Sequence, residues 1–462
     1  MTQAEHLAAF VARASYDDLS EAARQEIKIR ILDALGCAIG ALEGEPVQAL
    51  RRQLHDFGGR ERCTLIGGAA PGGAWRTAPD RAALYNGALV RYLDFNDSYL
   101  ARGETCHPSD NLGAVLAACE YAGAGGRELM TALAVAYQVQ CRLSDAAPVR
   151  ARGFDHTTLG SYAVAAGVSK ALQPLGMDEQ KTANAIAICG TAFNALRVTR
   201  TGALSHWKGL AYPNTAFACT HATFLAWRGI TGPPEVFEGH KGFMDAIAGR
   251  FEIDWAREDL ERVRRTVLKK YNAEIHAQSA LEAVLHLRRA HGLRGEDVAH
   301  IEVETFDVAY HIIGGGEEGD KTVVRTKEEA DHSLPYMVAV ALLDGQVMPE
   351  QYRPERIQRD DVQALLRRVV VRPVDAYSRE FPERMPCRVT VALRDGRTLV
   401  EEKTDYEGFH TRRMRWETVA EKFDRQSARA DAGLRREIAD AVRALEGIWV
   451  ADLMRLLARV PA

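Results

Sequence analysis

One short stretch decides the fold class: Ile301-Glu302-Val303-Glu304-Thr305-Phe306, in which apolar and polar residues alternate. This period of two is typical of a strand with one buried face. Further β-type runs follow at 369–372, 388–393 and 398–403. Asp395-Gly396 separates the last two runs and favours a tight hairpin turn. Together with a helical pattern over 327–343, these runs predict an α+β segment.

On both sides of this segment the apolar residues follow the helical period. Alanine-rich helices are predicted at about 127–143, 157–173, 178–195 and 209–228, and the helical pattern returns from 416 to 457. Alternating patterns are nearly absent before residue 260. A chain of 462 residues exceeds the size at which one hydrophobic core usually stops growing. We therefore expect a mainly α protein with an α+β part: a large discontinuous helical domain, 1–266 plus 412–462, interrupted by a smaller α+β domain, 267–411.

The composition excludes several classes of protein. The formal net charge of −4 offers no general attraction to nucleic acid or to an anionic membrane surface. No two of the eight cysteines are spaced as C-x-x-C, so neither a zinc knuckle nor an iron–sulfur cluster is indicated. The sequence contains no G-x-G-x-x-G after a strand, no Walker A motif and no H-E-x-x-H, so neither nucleotide nor metal is expected. Without a signal sequence or an apolar run of about 18 residues, the chain is expected in the cytoplasm with reduced thiols.

The first candidate cluster surrounds the end of a predicted helix. Asp94 and Ser98 follow that helix, and His107 precedes a run of turn residues that ends in Asp110 and Asn111. Asp110 is the expected N-cap of the next helix, which would hold His107 at a rigid corner. Turns use Asp, Asn, Ser and Pro in any case, so capping and turn formation remain the alternative explanation of this cluster.

Two more candidate segments follow before residue 210. His156 stands at a second helix entrance, where free N–H groups and the helix dipole favour a bound carboxylate. The thirteen residues 197–209 contain three cations and a histidine, and Arg200, His206 and Lys208 among them are the candidate ligands for an anion. For each residue taken alone, a solvated loop or a satisfied polar side chain remains the alternative.

A fourth group lies where the helical pattern gives way to the α+β segment: Lys269, Tyr271 and His276. A substrate with two or three carboxylates needs such residues, because lysine and arginine neutralise charge and histidine transfers a proton near its own pKa. The four groups together predict a site for a small polycarboxylate.

At these clusters the sequence resembles the MmgE/PrpD family, which includes 2-methylcitrate dehydratase, cis-aconitate decarboxylase and iminodisuccinate epimerase. The matching segments run in the same order along most of the chain: LDFNDSYL (93–100) with HPSDNLGAVLA (107–117), GFDHTTLGS (153–161), RTGALSHWKGLAYPN (200–214), ITGPPEVFEGHKGF (230–243), LKKYNAEIHAQSALEA (268–283) and ADHSLPYMVAVALLDGQ (330–346). The dehydratase branch is the nearest, through HPSDNLGA and the LSHWKGLAY segment.

The resemblance implies a large helical domain and a smaller α+β lid, usually in a homodimer, with the active site between domain and lid. It also implies that neither a metal nor an organic cofactor is used. It assigns four residues to active-site segments of the family: Asp94, Ser98, His107 and His156.

The resemblance further implies that Lys208 and Lys269 bind the substrate, since they lie in the two segments that supply such lysines. Branches of the family differ in spacing here, so Arg200 or His206 can take the role of Lys208. The assignment of His276 depends on a short gap, and a lid tyrosine used by some members cannot be placed.

The expected reaction is removal of water from 2-methylcitrate, and citrate differs from that substrate by only one methyl group. One histidine, His107 or His156, is expected to act as base while the other group protonates the departing hydroxyl. Asp94 is expected to orient or tune a histidine. Decarboxylation of cis-aconitate and an epimerase reaction are alternatives that use the same residues. A non-catalytic carboxylate-binding or scaffold protein is an alternative of another class, and it requires these histidines and lysines to be scattered.

Overall fold

The computed structural model describes residues 1–70 and 73–462. In it 58 % of the residues are helical and 10 % lie in strands, which confirms the predicted fold class, mainly α with an α+β part. The chain divides into two compact units. The first unit comprises Met1–Thr199, Gly209–Thr266 and Arg415–Ala462, and the second comprises Arg200–Lys208 and Val267–Met414. The short segment Arg200–Lys208 thus belongs to the second unit, although its position in the sequence suggested the helical part.

The part of the chain before residue 267 contains helices and two short β-hairpins. In chain order these elements are α1 (Gln3–Arg13), α2 (Glu21–Gly40), α3 (Glu45–Phe57), β1 (Cys63–Ala70), β2 (Gly73–Thr77), α4 (Pro79–Tyr92), β3 (Tyr99–Leu100), β4 (Thr105–Cys106), α5 (Leu112–Ala122), α6 (Gly126–Ala146), α7 (Thr157–Ala171), α8 (Glu179–Ala192) and α9 (Trp207–Trp227). Small residues let the helices approach closely. A Cβ added to Gly113 in α5 would lie only 2.5 Å from the backbone nitrogen of Gly87 in α4.

Helical periodicity located α6, α7, α8 and α9 correctly, with ends at most three residues from those predicted. Alternating patterns are nearly absent before residue 260, yet two strands in that part of the chain, β1 and β2, pair antiparallel. Their register shifts between Thr64 and Ala69, and Gly67 has a φ of +68°. This bulge breaks the period of two, so no alternation is visible in the sequence. The expected cap is wrong: Asp110 lies inside a 3₁₀ turn, Pro108–Asn111, ahead of α5.

The second unit has a four-stranded sheet covered by helices. Its elements in chain order are α10 (Gln278–His291), β5 (Val298–Thr305), α11 (Asp307–Ala309), α12 (Lys327–Ala330), α13 (Leu334–Asp344), α14 (Pro354–Ile357), α15 (Asp360–Leu366), β6 (Val369–Pro373), α16 (Asp375–Glu380), β7 (Cys387–Leu393) and β8 (Thr398–Lys403). The strand order is β6-β5-β7-β8, with β5 parallel to β6 and antiparallel to β7. All four predicted strands are therefore confirmed, and Gly396, with φ of +90°, forms the predicted hairpin turn.

The helix predicted over 327–343 is interrupted. α12 ends at Ala330, and Asp331-His332-Ser333 separates it from α13. The Ser333 side chain accepts a hydrogen bond from the Tyr336 N–H at 3.1 Å and so caps α13. The apolar face of α13 belongs to the core of the unit with α10 and the sheet. The break places Asp331 and His332 between the two helices.

Three helices at the end of the chain return to the first unit: α17 (Trp416–Gln426), α18 (Ala432–Arg443) and α19 (Val450–Ala458). α17 packs against α2, and Lys422 Nζ lies 2.7 Å from the Asp33 carboxylate and donates to the Phe95 carbonyl oxygen at 2.9 Å. Among residues 1–70 and 73–462, no helix combines the length and the apolar character needed to cross a bilayer.

Candidate active site

The loop after α4 carries the first predicted site residues. Asp94 lies two residues beyond the end of α4 and has a φ of +53°. Asp is among the few residues that adopt this left-handed conformation, and such positions cluster at functional segments. The Asp94 carboxylate lies 2.6 Å from Nη1 of Arg91, and both side chains are buried. This ion pair fixes Asp94 to the last turn of α4.

His107 is held by the same loop. Its Nδ1 lies 2.8 Å from the carbonyl oxygen of Asp97 and 3.0 Å from Oγ of Ser98. A carbonyl oxygen can only accept, so Nδ1 carries the proton. When the ring is neutral, its basic lone pair is therefore on Nε2.

His156 lies beside His107. It is the N-cap residue of α7 and is 2 % exposed. The two imidazole rings meet edge to face with centroids 5.4 Å apart, and the His156 ring also stacks on Tyr212 at 6.1 Å. Nε2 of His156 lies 3.7 Å from the Asp155 carboxylate. The structure thus brings together three of the predicted site residues of the first unit, Ser98, His107 and His156.

Two other carboxylates of this region have structural partners. Asp97 accepts a hydrogen bond from the Tyr137 hydroxyl at 2.7 Å. Asp110 accepts one from the Asn96 amide at 2.8 Å and lies 3.5 Å from Nε of Arg91. These contacts hold the loop that carries Asp94, which agrees with turn formation as the role of Asp97 and Asp110.

A buried acid connects the segments that lead to the two histidines. Glu104, which is 3 % exposed, accepts hydrogen bonds from the N–H groups of Thr105 at 3.2 Å and of Arg150 at 3.0 Å. Burial and the negative charge of Asp155 raise the pKa of Glu104 to about 7, although Arg197 opposes the shift. The same Arg197 lies 3.7 Å from Asp155, so one cation serves two acids.

In the second unit, Lys208 is held by a buried carboxylate. Asp331 accepts from Lys208 Nζ at 2.6 Å and from Lys327 Nζ at 2.7 Å. Nδ1 of His332 lies 2.8 Å from both Lys208 Nζ and Asp331 Oδ1. Burial by itself raises the pKa of Asp331, but Lys208 and Lys327 hold it well below its usual range. Asp331 is therefore an anion that fixes the Lys208 ammonium in place.

His276 forms a second acid–histidine pair in this unit. Its Nδ1 donates to Glu274 at 2.8 Å, and its ring lies 5.7 Å from that of Phe306. Burial by itself raises the pKa of Glu274, but the charges of His276, His332 and Lys269 outweigh it and lower the pKa to about 2. Glu274 is thus ionised at neutral pH and attracts the positive charge of Lys269, which is fully buried.

The remaining predicted residues are spread more widely. Arg200 is buried in the second unit and donates to the Lys208 carbonyl oxygen at 3.5 Å. His206 is solvent-exposed. Tyr271 belongs to the hydrophobic core of the second unit, where burial raises the pKa of its phenol. Arg200 therefore supports the backbone at Lys208. His206 lies at the surface, and Tyr271 lies in the core.

Sequence reasoning missed the acids that pair with the predicted bases. Glu274, Asp331 and Glu104 each contact a predicted site residue or the segment that carries one. Glu274 lies two residues before His276, and Asp331 precedes His332 directly. An acid within two residues of a histidine is the signal in the sequence that could have identified Glu274 and Asp331. Both acid–histidine pairs lie in segments that carry the family resemblance.

Comparison with known proteins matches most of the chain to one family. The MmgE/PrpD N-terminal domain model matches residues 5–256, and the MmgE/PrpD C-terminal domain model matches residues 271–446. The chain is 30 % identical over 413 residues to 2-methylcitrate dehydratase of Cupriavidus necator, which covers 83 % of this chain and 81 % of the relative. It is 28 % identical over 425 residues to 2-methylcitrate dehydratase of Salmonella typhimurium, covering 86 % and 84 %.

Alkylcitrate dehydratase phiI from a fungal species is 29 % identical over 432 residues, covering 87 % of this chain and 83 % of the relative. The first family model alone spans more than half of the 462 residues. With both domain models matched in order along the sequence, this chain belongs to the MmgE/PrpD family.

Proposed function

We propose that this protein is a dehydratase of citrate-type acids, a carbon–oxygen lyase whose substrate is 2-methylcitrate. The observation that carries the proposal is the buried pair His107 and His156, with ring centroids 5.4 Å apart. Dehydration removes a proton from one carbon and adds one to a departing hydroxyl, so it needs two groups that transfer protons. Relatives named 2-methylcitrate dehydratase and alkylcitrate dehydratase support the substrate class.

In this proposal His107 is the base and His156 the acid. The Asp97 carbonyl oxygen fixes the proton on Nδ1 of His107, so the lone pair that takes a proton from carbon is on Nε2. His156, whose Nε2 lies 3.7 Å from the Asp155 carboxylate, donates a proton to the leaving hydroxyl in this proposal. Asp94, held by Arg91, orients the loop that positions His107.

Lys208 and Lys269 supply the charge that a polycarboxylate requires. Removing a proton next to a carboxylate builds negative charge on that carboxylate. A fixed cation at this position stabilises the transition state more than the ground state. Asp331 holds the Lys208 ammonium at 2.6 Å, which is the pre-organisation that such a role needs. Ser98 and His276 complete the proposed set of substrate-binding residues.

We further propose that the enzyme uses neither a metal nor an organic cofactor, works in the cytoplasm and is a homodimer. Light scattering on purified protein tests the dimer, and full activity after treatment with EDTA tests the metal independence. A monomer, or activity that returns only when a divalent metal is added, would remove the corresponding part of the proposal.

The central experiment measures 2-methylaconitate by its ultraviolet absorbance when EDTA-treated enzyme is mixed with 2-methylcitrate, with citrate run in parallel. We expect turnover of 2-methylcitrate, and the ratio of the two rates gives the preferred substrate. Absence of turnover on both acids contradicts the proposal. Itaconate formed from cis-aconitate would then identify a decarboxylase, and deuterium incorporation without net product would identify an epimerase.

A further inference from the structure

Lys321 differs from the other lysines of the second unit. It is 9 % exposed, in the loop before α12. Among residues 1–70 and 73–462, no carboxylate oxygen lies within 4.0 Å of its Nζ. Lys208 and Lys327, in contrast, both contact Asp331. Lys321 is thus a buried amine without a counter-ion in direct contact.

The backbone places Lys321 at the cluster that contains Lys208. Ser333 Oγ donates to the Lys321 carbonyl oxygen at 2.6 Å, directly after the Asp331-His332 pair. The charges of Glu274 and Asp331 both act on the Lys321 ammonium. Lys321 therefore shares its electrostatic surroundings with the residues that hold Lys208 and His276.

Burial of the Lys321 ammonium is energetically unfavourable when no ligand is bound. Burial lowers the pKa of Lys321, and the acids Glu318, Glu274, Asp331 and Asp320 oppose this shift without cancelling it. An ammonium loses hydration on burial and recovers the cost only through close ionic and hydrogen-bonded partners. Buried groups with a perturbed pKa concentrate at functional sites. The ligand that fits an ammonium here is an anion.

We propose that Lys321 is a further substrate-binding residue, which takes one carboxylate of the tricarboxylic acid. The inference rests on the proposed function and adds a cation to Lys208 and Lys269. Three carboxylates need three sources of positive charge, and Lys208 already shares its charge with Asp331. Lys321 supplies an ammonium whose N–H groups are not committed to a carboxylate of the protein.

The test is calorimetric binding of tricarballylate, which has the three carboxylates of citrate but no hydroxyl group to eliminate. Lys321→Met should weaken binding about ten- to a hundred-fold, the usual effect of losing a charge-assisted contact. Lys321→Arg, which keeps the charge, should retain most of the affinity. Lys403→Met is the matched control, because Lys403 is in the same unit and already pairs with Glu401 at 2.8 Å. The affinity of Lys403→Met for tricarballylate should equal that of the unmodified protein.

Thermal unfolding separates this role from a structural one. Removing an uncompensated buried charge should leave the melting temperature of Lys321→Met unchanged or raise it, whereas loss of a structural lysine lowers it. Unchanged tricarballylate affinity in Lys321→Met, measured on an enzyme that dehydrates 2-methylcitrate, overturns the inference alone. If the unmodified enzyme neither dehydrates 2-methylcitrate nor binds tricarballylate, the proposed function fails and the inference fails with it.

Discussion

The position of one proton, on Nδ1 of His107, decides the proposed chemistry of the first unit. The carbonyl oxygen of Asp97 requires a proton on Nδ1 of His107, so the reactive nitrogen is selected by a backbone group rather than by another titratable side chain. Such a partner does not change its protonation with pH. The carbonyl oxygen therefore favours the same tautomer of the neutral His107 ring at any pH.

Replacing either histidine tests this assignment. His107→Ala and His156→Ala should each lower kcat for 2-methylcitrate at least about 10²-fold, because each removes one proton-transfer group. Their circular dichroism spectra should match that of the unmodified protein. His55→Ala is the control, since its side chain is 81 % exposed and should have no effect on kcat. Near-normal turnover in His156→Ala would remove that residue from the mechanism.

Glu104 gives a prediction about pH and stability. Its pKa is about 7 in the folded protein and has an ordinary value near 4.5 in the unfolded chain. The folded state therefore binds the extra proton between these values, so this group lowers the free energy of unfolding as pH rises from about 4.5 to about 7. Above that range its effect is constant.

Glu104→Gln removes this titration. Relative to the unmodified protein, the variant should gain stability progressively between about pH 4.5 and 7, as measured by urea unfolding at a series of pH values. Arg150 and Asp155 are unchanged in both proteins, so the difference between the two curves reports Glu104. A difference that does not vary with pH would show that Glu104 has an ordinary pKa in the folded state.

Elements are predictable from the sequence where one period runs undisturbed. β5 and the helices α6 to α9 have such a period, and their positions were predicted closely. The β1–β2 hairpin was missed because its bulge at Gly67 breaks the alternation. The break at Asp331–Ser333 was missed because three polar residues do not by themselves end a helical pattern. Helix ends depend on single capping bonds, which periodicity does not encode.

The residues of the candidate site stay a prediction, and only some of their surroundings could be read from the sequence. Two histidines and two lysines were identified by the family resemblance, and the structure buries all four: His107, His156, Lys208 and Lys269. Their partners depend on contacts between distant segments. Glu104 bonds to Arg150 across 46 positions, and Lys208 bonds to Asp331 across 123. No local pattern contains such pairs, so only the folded chain reveals them.

The close contact between α4 and α5 gives a prediction about the packing of these two helices. A Cβ on Gly113 would lie 2.5 Å from the Gly87 nitrogen and 2.9 Å from the Ala83 carbonyl oxygen, both of which are backbone atoms. Gly113→Ala should therefore force the helices apart and lower the free energy of unfolding by about 1–3 kcal/mol. It should also lower activity, since α4 precedes the Asp94 loop and α5 follows the His107 turn.

Urea unfolding and turnover measure the two effects of Gly113→Ala. Gly447→Ala is the control, because a Cβ there has no neighbour within 4 Å and its φ is not positive. Equal stability of the two variants would contradict the backbone contact between α4 and α5.

At the scale of the whole molecule, the helices of Arg415–Ala462 complete the first unit. α17 brings Lys422 to Asp33 in α2 and to the Phe95 carbonyl oxygen in the site loop. Burial raises the pKa of Asp33, and Lys422 opposes that shift. A lysine far along the sequence thus compensates a buried acid and anchors the loop that carries Asp94.

Lys422→Met should lower the free energy of unfolding by about 3–5 kcal/mol, because it leaves Asp33 buried without its cation. The double variant Asp33→Asn with Lys422→Met should recover part of that loss, since no charge is then uncompensated. A double-mutant cycle in urea measures the coupling. Additive effects of the two substitutions would show that the ion pair contributes nothing.

The discontinuity of the first unit also dictates an order of events during translation. Chains emerge from the ribosome at about 5–20 residues per second and usually complete their N-terminal domain first. Here Arg415–Ala462 emerges only after all of Val267–Met414, so the second unit has its full sequence before the first does. Until then the nascent Asp33 and the carbonyl group of Phe95 lack Lys422. A chain stalled before residue 415 carries one complete unit and one open hydrophobic core, which is the kind of surface that chaperones and proteases recognise.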